Sequence, residues 1–259
     1  MSSIYIEAVT VCVDYADIAR YTLPALRRQV DRLVVVTTPK DSATHELCHK
    51  LNLETLETDD FTRDGHSFNK GRAVERGLAL LAHDGWVLHV DSDIYLPDDL
   101  RESLNDAHLN EDTIYGCDRV NLMGYDAFTK WRDRGSSRQW HCYQATHGEQ
   151  IGARWVDARF GYVPIGFFQL WHQQAAGRNG IRTRRYPEWH SDAARADVKF
   201  ALQWDRKHRV LLPEVIVGHL ESQPAPTGAN WKGRKTIPFG PGVVAPAHQA
   251  KQSKPNTCS

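Results

Sequence analysis

Residues 86–97 read Trp86-Val87-Leu88-His89-Val90-Asp91-Ser92-Asp93-Ile94-Tyr95-Leu96-Pro97. A short, mostly apolar run stops at two carboxylates spaced one apart, and a proline follows. A run of this length bounded by turn residues reads as a buried strand. In a strand or the turn that ends it, residues i and i+2 point to the same side. Asp91 and Asp93 can therefore converge on one ligand. Two hard oxygen donors at a strand end suit Mg²⁺ or Mn²⁺ bridging the phosphates of a nucleotide. The competing reading is a solvated strand end built from turn-forming Asp and Ser.

Upstream, residues 4–13 are rich in β-branched side chains and predict a first strand. A polar turn follows at residues 14–17, where Asp17 is placed to cap a helix running to Val30. Pro24 inside that pattern predicts a late start or a kink. Residues 33–37 predict a second strand, 42–51 a helix and 53–58 a third strand. A charged loop at 59–68 then leads to a helix predicted over 69–83, just before the strand at 86–90. Alternating strands and helices imply an α/β layer with a mostly parallel sheet. Ligands bind such sheets beyond the carboxyl ends of the strands. The exits at Asp14, Asp41, 59–69 and Asp91–Asp93 are expected to line one edge.

Downstream the pattern is less regular. Short helices are predicted at 99–107 and 125–135, with a strand within 113–122. Residues 135–155 are polar and aromatic without a clear period. An apolar strand interrupted by Pro164 and Gly166 covers 162–171, and 193–207 reads as a helix. Two short strands, 210–212 and 215–217, end at Gly218-His219. Beyond Leu220 the chain is rich in Pro, Gly, Lys and Asn, and its last dozen residues are expected to be disordered.

Composition narrows the class. With 32 Lys plus Arg against 32 Asp plus Glu, no overall field favours nucleic acid. No apolar run approaches the roughly 20 residues of a membrane span. The first residues lack the pattern of a secretory signal. Five scattered cysteines, without a Cys-x-x-Cys pair, fit free thiols in a reducing compartment, so a cytoplasmic location is expected.

Five pieces of the chain resemble a GT-A type nucleotide-sugar glycosyltransferase. The first strand and its polar exit (Val9-Thr10-Val11-Cys12-Val13-Asp14) resemble the opening of the nucleotide-binding half. Phe68-Asn69-Lys70-Gly71-Arg72-Ala73 resembles the Asn-Lys-Gly-x-Ala helix start of family 2-like enzymes. Asp91-Ser92-Asp93 resembles the Asp-x-Asp motif. Ala196-Asp197 heads a helix as the family's Glu-Asp element does, with Ala in place of Glu, and His219 matches a late histidine that completes the metal shell in some members.

The resemblance implies a single domain with a GT-A, Rossmann-like, mixed and mostly parallel sheet flanked by helices. Its nucleotide-sugar half would span 1–100, its acceptor half 101–222, and a lid and flexible tail 223–259. It implies transfer of a sugar from a UDP- or GDP-sugar to an acceptor hydroxyl on a glycan, a small molecule or a modified DNA base. Thr10, Asp14, Asp41, Asn69, Lys70, Arg72, Asp91, Ser92 and Lys232 are the expected donor contacts. Asp91, Asp93 and His219 are the expected ligands of Mn²⁺ (or Mg²⁺). Asp197 is the expected base, with Asp192 and Glu188 behind it.

Residue chemistry runs beside the analogy. A helix N-terminus at Asn69-Lys70 favours phosphate through its unpaired N–H groups and dipole; taken alone an ordinary cap with exposed cations is the simpler reading, and the Asp-x-Asp strand end about twenty residues on weighs against it. Asp41 can serve as a turn residue, and Asp197 as a first-turn helix acid. Phe167, Phe168, Trp171, Trp189 and Trp204 could form a sugar or acceptor wall, with core packing as the alternative. Asn230-Trp231-Lys232-Gly233-Arg234-Lys235 reads as a lid, a nucleic-acid contact or a solvated tail. A nucleotidyltransferase or pyrophosphorylase is the alternative enzyme, disfavoured because residues 14–17 are acidic and lack glycine. An inactive nucleotide-sugar-binding module is the non-enzymatic alternative.

Overall fold

A computed structural model describes residues 4–82, 85–133, 151–152, 156–178, 181–222 and 228–243. The first half holds β1 (Ile6–Val11), α1 (Ala16–Gln29), β2 (Arg32–Thr37), α2 (Ser42–Lys50), β3 (Glu54–Glu57), α3 (Lys70–Leu78) and β4 (Trp86–Val90). Then come β5 (Ile94–Tyr95), α4 (Leu100–Asp106), β6 (Ile114–Met123), α5 (Tyr125–Arg132) and the two-residue strands β7 (Ile151–Gly152), β8 (Val156–Asp157) and β9 (Gly161–Tyr162). β10 (Phe168–His172), a helical turn at Gln173–Ala176, the short pair β11 (Gly177–Arg178) and β12 (Ile181–Arg182), a helix at Ala196–Ala201 and β13 (Arg209–Glu221) follow, with 3₁₀ turns at Arg63–Gly65 and Arg206–His208.

The main sheet runs β3-β2-β1-β4-β10-β6-β13-β5, with β7 beside β6. Its first four strands are parallel. β1 and β4 are buried at every position, as strands covered by helices on both faces must be. β10 then enters antiparallel between β4 and β6, and β13 runs parallel to β6. The result is a mixed sheet flanked by helices. Its two faces are covered by separate apolar clusters, one around Leu23, Leu26 and Leu88 and one around Val74, Leu78 and Trp171.

Several boundaries differ from the sequence expectation, each for a local reason. α1 starts at Ala16 with Tyr15 in the cap position and no side-chain cap. Asp17 lies inside the first turn and gives its carboxylate to Arg234 instead. α1 also runs through Pro24 without a break, its buried Leu23, Ala25 and Leu26 holding it to the sheet. α3 stops at Leu78, where the Leu80 N–H turns back to the Gly77 carbonyl; His83 lies outside the described residues. The helix expected over 193–207 shrinks to Ala196–Ala201, because Arg195 takes a left-handed conformation (φ +67°) that starts the helix late. The two strands expected at 210–217 are one strand, β13, with an irregularity between Leu212 and Ile216 where Pro213 lacks an N–H. Residues 135–155 lie outside the described residues except 151–152, as does the tail beyond 243.

Of the two readings of the aromatic set, core packing holds for four of the five. Phe167, Phe168, Trp171 and Trp204 are buried in the core, and only Trp189 of the five is exposed. Aromatic side chains on a central strand such as β10 point into the layers on either side of the sheet, which are filled.

The approach of α3 to the acid-bearing helix depends on Gly71. A Cβ there would stand 2.5 Å from the Pro187 carbonyl oxygen and 3.2 Å from the Ala196 Cβ. Both neighbours are short and rigid, so neither can yield easily. Gly71→Ala is expected to cost about 1–3 kcal/mol of stability by overpacking. A urea titration should show a lower midpoint with an unchanged slope.

Candidate functional site

The site sits where β4 ends. After Val90 the chain turns through Asp91, Ser92 and Asp93 and pairs briefly with β13 as β5, placing Ile94 opposite His219. The Leu220 N–H donates to the Asp93 carbonyl at 2.9 Å, which fixes the register. That register brings His219 Nε2 to 3.4 Å from Asp93 Oδ2. His219 Nδ1 faces Glu221 Oε1 at 2.8 Å and Asn121 Oδ1 at 3.1 Å. Both partners accept, so Nδ1 carries a proton.

Asp91 faces a different cation. Lys70, the first residue of α3, places its Nζ on Asp91 Oδ1. Asn69 builds this corner. Its Oδ1 accepts from the Arg72 N–H at 3.0 Å, and its Nδ2 donates to the Glu188 carbonyl at 2.6 Å. Asn69 is thus a buried helix cap that ties α3 to residue 188.

Asp197 belongs to the same electrostatic cluster. Its charge acts on both Lys70 and Asp91, and its Oδ2 accepts the Gly166 N–H at 2.5 Å. Burial alone would push Lys70 down, but Asp91, Asp197 and Asp93 together raise it. Asp91 is raised by burial, against the pull of Lys70. For Asp93 the burial penalty is outweighed by His219, with Lys70 and Arg119 adding, and the net direction is down.

The other expected site residues take up varied places. Thr10 is wholly buried within β1. Ser92 is buried, and its carbonyl accepts from Thr22 Oγ1 at 2.5 Å. Asp14 has a left-handed backbone (φ +60°), held because its N–H donates to Asp41 Oδ2 at 2.7 Å. Asp41 also caps α2, accepting from the Thr44 N–H at 3.1 Å and its hydroxyl at 2.6 Å. Three donors therefore converge on the Asp41 carboxylate, which shapes the loop. Arg72 turns to Asp64 at 2.9 Å and Glu188 at 3.8 Å rather than toward Asp91. Asp192 accepts the Ala194 N–H at 2.9 Å within its own turn. Lys232 is exposed.

Residues 228–243 form a strap across this edge. Arg234 is its anchor: it pairs with both oxygens of Asp17, donates to the Asp14 carbonyl at 2.7 Å, and stacks over Tyr15 at 4.7 Å. On the other side the Trp231 carbonyl accepts the Ala193 N–H at 2.9 Å. Sequence reasoning singled out Lys232 in this segment and missed Arg234; only the fold reveals which cation meets Asp17. Glu221 was readable in principle, since 219 and 221 share a face on a strand.

Whether a divalent cation suits these residues can be tested on one atom. Asp93 Oδ1 is buried without a hydrogen-bond partner, and a buried carboxylate oxygen left alone is costly. His219 and Asp91 flank it, a donor set of imidazole and carboxylates that suits Mn²⁺. Among the described residues, no three His, Cys, Asp or Glu side chains stand close enough together to enclose a metal as they are placed. Asp91 is paired with Lys70 in this arrangement.

The pH dependence follows from His219. Burial opposes its charge, but the Asp93 charge and the hydrogen bonds that His219 donates to Asp93 and Glu221 raise its pKa from 6.5 to about 9. A raised folded-state value stabilises the protein when His219 is protonated. That contribution is full below pH 6.5 and is lost as pH rises through about 9. Without added metal, denaturant midpoints should fall across this window, and His219→Gln should flatten the fall. A metal ion competes with the same proton, so metal affinity should rise over the same range.

No family model and no curated protein matches the chain. Solved structures do. A mannosyltransferase from Pyrobaculum calidifontis, solved with GDP-Man and Mn²⁺, matches with a TM-score of 0.51 at 16% identity, over 88% of this chain and 59% of its own. This chain thus spans 59% of that structure's length. Glucosyl-3-phosphoglycerate synthase from Mycobacterium tuberculosis matches with a TM-score of 0.46 at 11% identity, over 86% of this chain and 73% of its own. No helix among the described residues is long and apolar enough to cross a membrane. The likeness to the mannosyltransferase shows a shared fold, a mixed, Rossmann-like sheet flanked by helices.

Proposed function

We propose that this protein is a metal-dependent glycosyltransferase that moves a sugar from a nucleoside-diphosphate sugar to an acceptor hydroxyl. The observation that carries this reading is the buried, unpartnered Asp93 Oδ1 beside His219, on the turn where Lys70 meets Asp91. Asp91, Asp93 and His219 would hold Mn²⁺ or Mg²⁺. The cation would supply Lewis-acid stabilisation of charge on the departing diphosphate.

The chain's own residues do the rest. Lys70 stands at the start of α3, where its ammonium and the positive end of the helix dipole favour phosphate oxygens. It offsets negative charge as the glycosidic bond breaks. Asp197 removes the proton of the acceptor hydroxyl in an inverting reaction. Asp192, occupied in its own turn, is assigned no proton transfer. The strap at 228–243, bridging Asp17 and Ala193, covers the site and limits the access of water. Trp231 and Trp189, both exposed, offer ring surfaces on the acceptor side.

A thermal-shift panel tests the reading. UDP, GDP and their sugar conjugates should each be tried with and without Mn²⁺; GDP-mannose belongs in the set because the fold-sharing mannosyltransferase was solved with it. A ligand that binds only the folded state stabilises it by about 2.7 kcal/mol at 100 times its Kd. Metal-dependent stabilisation by one nucleotide is expected. No response to any of them sinks the proposal.

A further inference from the structure

His89 lies on β4 beneath the site, wholly buried, and its role follows from counting protons along a hydrogen-bonded chain. Gln169 Nε2 donates to two carbonyls, those of Pro164 at 2.9 Å and Asp197 at 3.0 Å. That fixes the amide orientation and leaves Oε1, which can only accept, facing the Tyr186 hydroxyl. Tyr186 must therefore spend its one proton on Gln169. Its oxygen is left to accept from His89 Nδ1, 2.7 Å away. The Tyr186 ring is stacked on Phe200 at 4.1 Å and set edge-on to His89, so the hydroxyl is held in place.

Nδ1–H in a neutral imidazole leaves Nε2 as a bare lone pair. His89 Nε2 is buried, has no hydrogen-bond partner and lies 3.9 Å from Asp91 Oδ1. Two lone-pair atoms facing each other in a buried corner repel unless a positive donor stands between them. Lys70 brings positive charge to this corner: its ammonium is on Asp91, and its charge reaches the His89 ring.

We propose that His89 is a positioning residue for Lys70. Gln169 and Tyr186 lock its tautomer so that Nε2 offers an acceptor to the Lys70 ammonium. An ammonium has three protons. One goes to Asp91 and one to His89, leaving the third directed at the incoming ligand. On the transferase reading, on which this last point alone rests, that ligand is the donor's diphosphate. The chain Asp197 carbonyl–Gln169–Tyr186–His89–Lys70–Asp91 then joins the helix of the proposed base to the diphosphate corner as one unit.

The test uses the full chain and needs no donor. In protein labelled with ¹⁵N-histidine, two-bond proton–nitrogen correlations read the tautomer of each ring, and His89→Gln assigns the signal of His89. The expected result is a neutral His89 with the proton on Nδ1, converting in part to Nε2–H in Tyr186→Phe. A wild-type ring protonated at Nε2 overturns the proposal. The Lys70 ammonium, labelled in the same way, should exchange its protons with water roughly tenfold faster in His89→Phe, as expected for the loss of a hydrogen bond to a charged group. His89→Gln, which supplies one acceptor and one donor, should restore slow exchange. Unchanged exchange in both His89→Phe and Tyr186→Phe overturns the proposal, and the milder Tyr186→Phe decides the matter should His89→Phe fail to fold. Lack of binding to UDP or GDP overturns the transferase reading but not the tautomer result, so the two failures are distinguishable.

Discussion

Asp93→Asn is expected to lower metal-dependent sugar transfer by about a thousandfold, equivalent to ~4 kcal/mol of transition-state stabilisation. The substitution keeps the shape of the side chain and removes its charge. A neutral amide oxygen can still stand beside His219, 3.4 Å away, but it binds a divalent cation poorly. The largest influence holding Asp93 ionised despite burial is His219, and that attraction is lost as well. The fold should survive, because the Asp93 backbone carbonyl, which accepts the Leu220 N–H, is unchanged. Initial rates at fixed Mn²⁺ and donor, with a thermal melt in parallel, separate the two effects. Unchanged turnover would refute the metal role of Asp93.

Asp197→Asn is the second large effect, with kcat expected to fall by roughly 10²–10⁴, the span of general-base contributions. The amide oxygen can still accept the Gly166 N–H, which Asp197 now accepts at 2.5 Å, so the loop at 166 should hold. The Asp197 carbonyl continues to accept from Gln169. A base lost without loss of geometry appears in kcat more than in the KM for the donor. Full activity in this variant would remove Asp197 as the base, and with it the simplest argument for inversion.

The sequence made the first half of the sheet legible for a physical reason. Strands β1, β2 and β4 are buried on both faces and connected by amphipathic helices, so their composition alone identifies them, and β4 was read to the residue at Trp86–Val90. Asn69 and Lys70 were legible because capping chemistry is local. What was hidden depends on pairing between distant segments. Nothing in Phe168–His172 announces an antiparallel strand between β4 and β6, and nothing in Asn230–Lys235 says that Arg234 rather than Lys232 will meet Asp17. Gln169 and Tyr186 read as ordinary members of apolar or turn segments. Their importance comes from meeting His89, which itself looked like an interruption in an apolar run.

β13 carries a consequence in time. Among the described residues it is the last strand of the sheet to leave the ribosome, yet it supplies His219 to a turn formed by Asp93 far earlier in the chain. The parallel strands β1 to β4 can pair with one another before β13 exists; the Asp93–His219 contact cannot form until β13 is seated between β6 and β5. Competence at this site is therefore a late event in the life of each molecule. A nascent or truncated chain that stops short of β13 would hold Asp93 with no imidazole beside it.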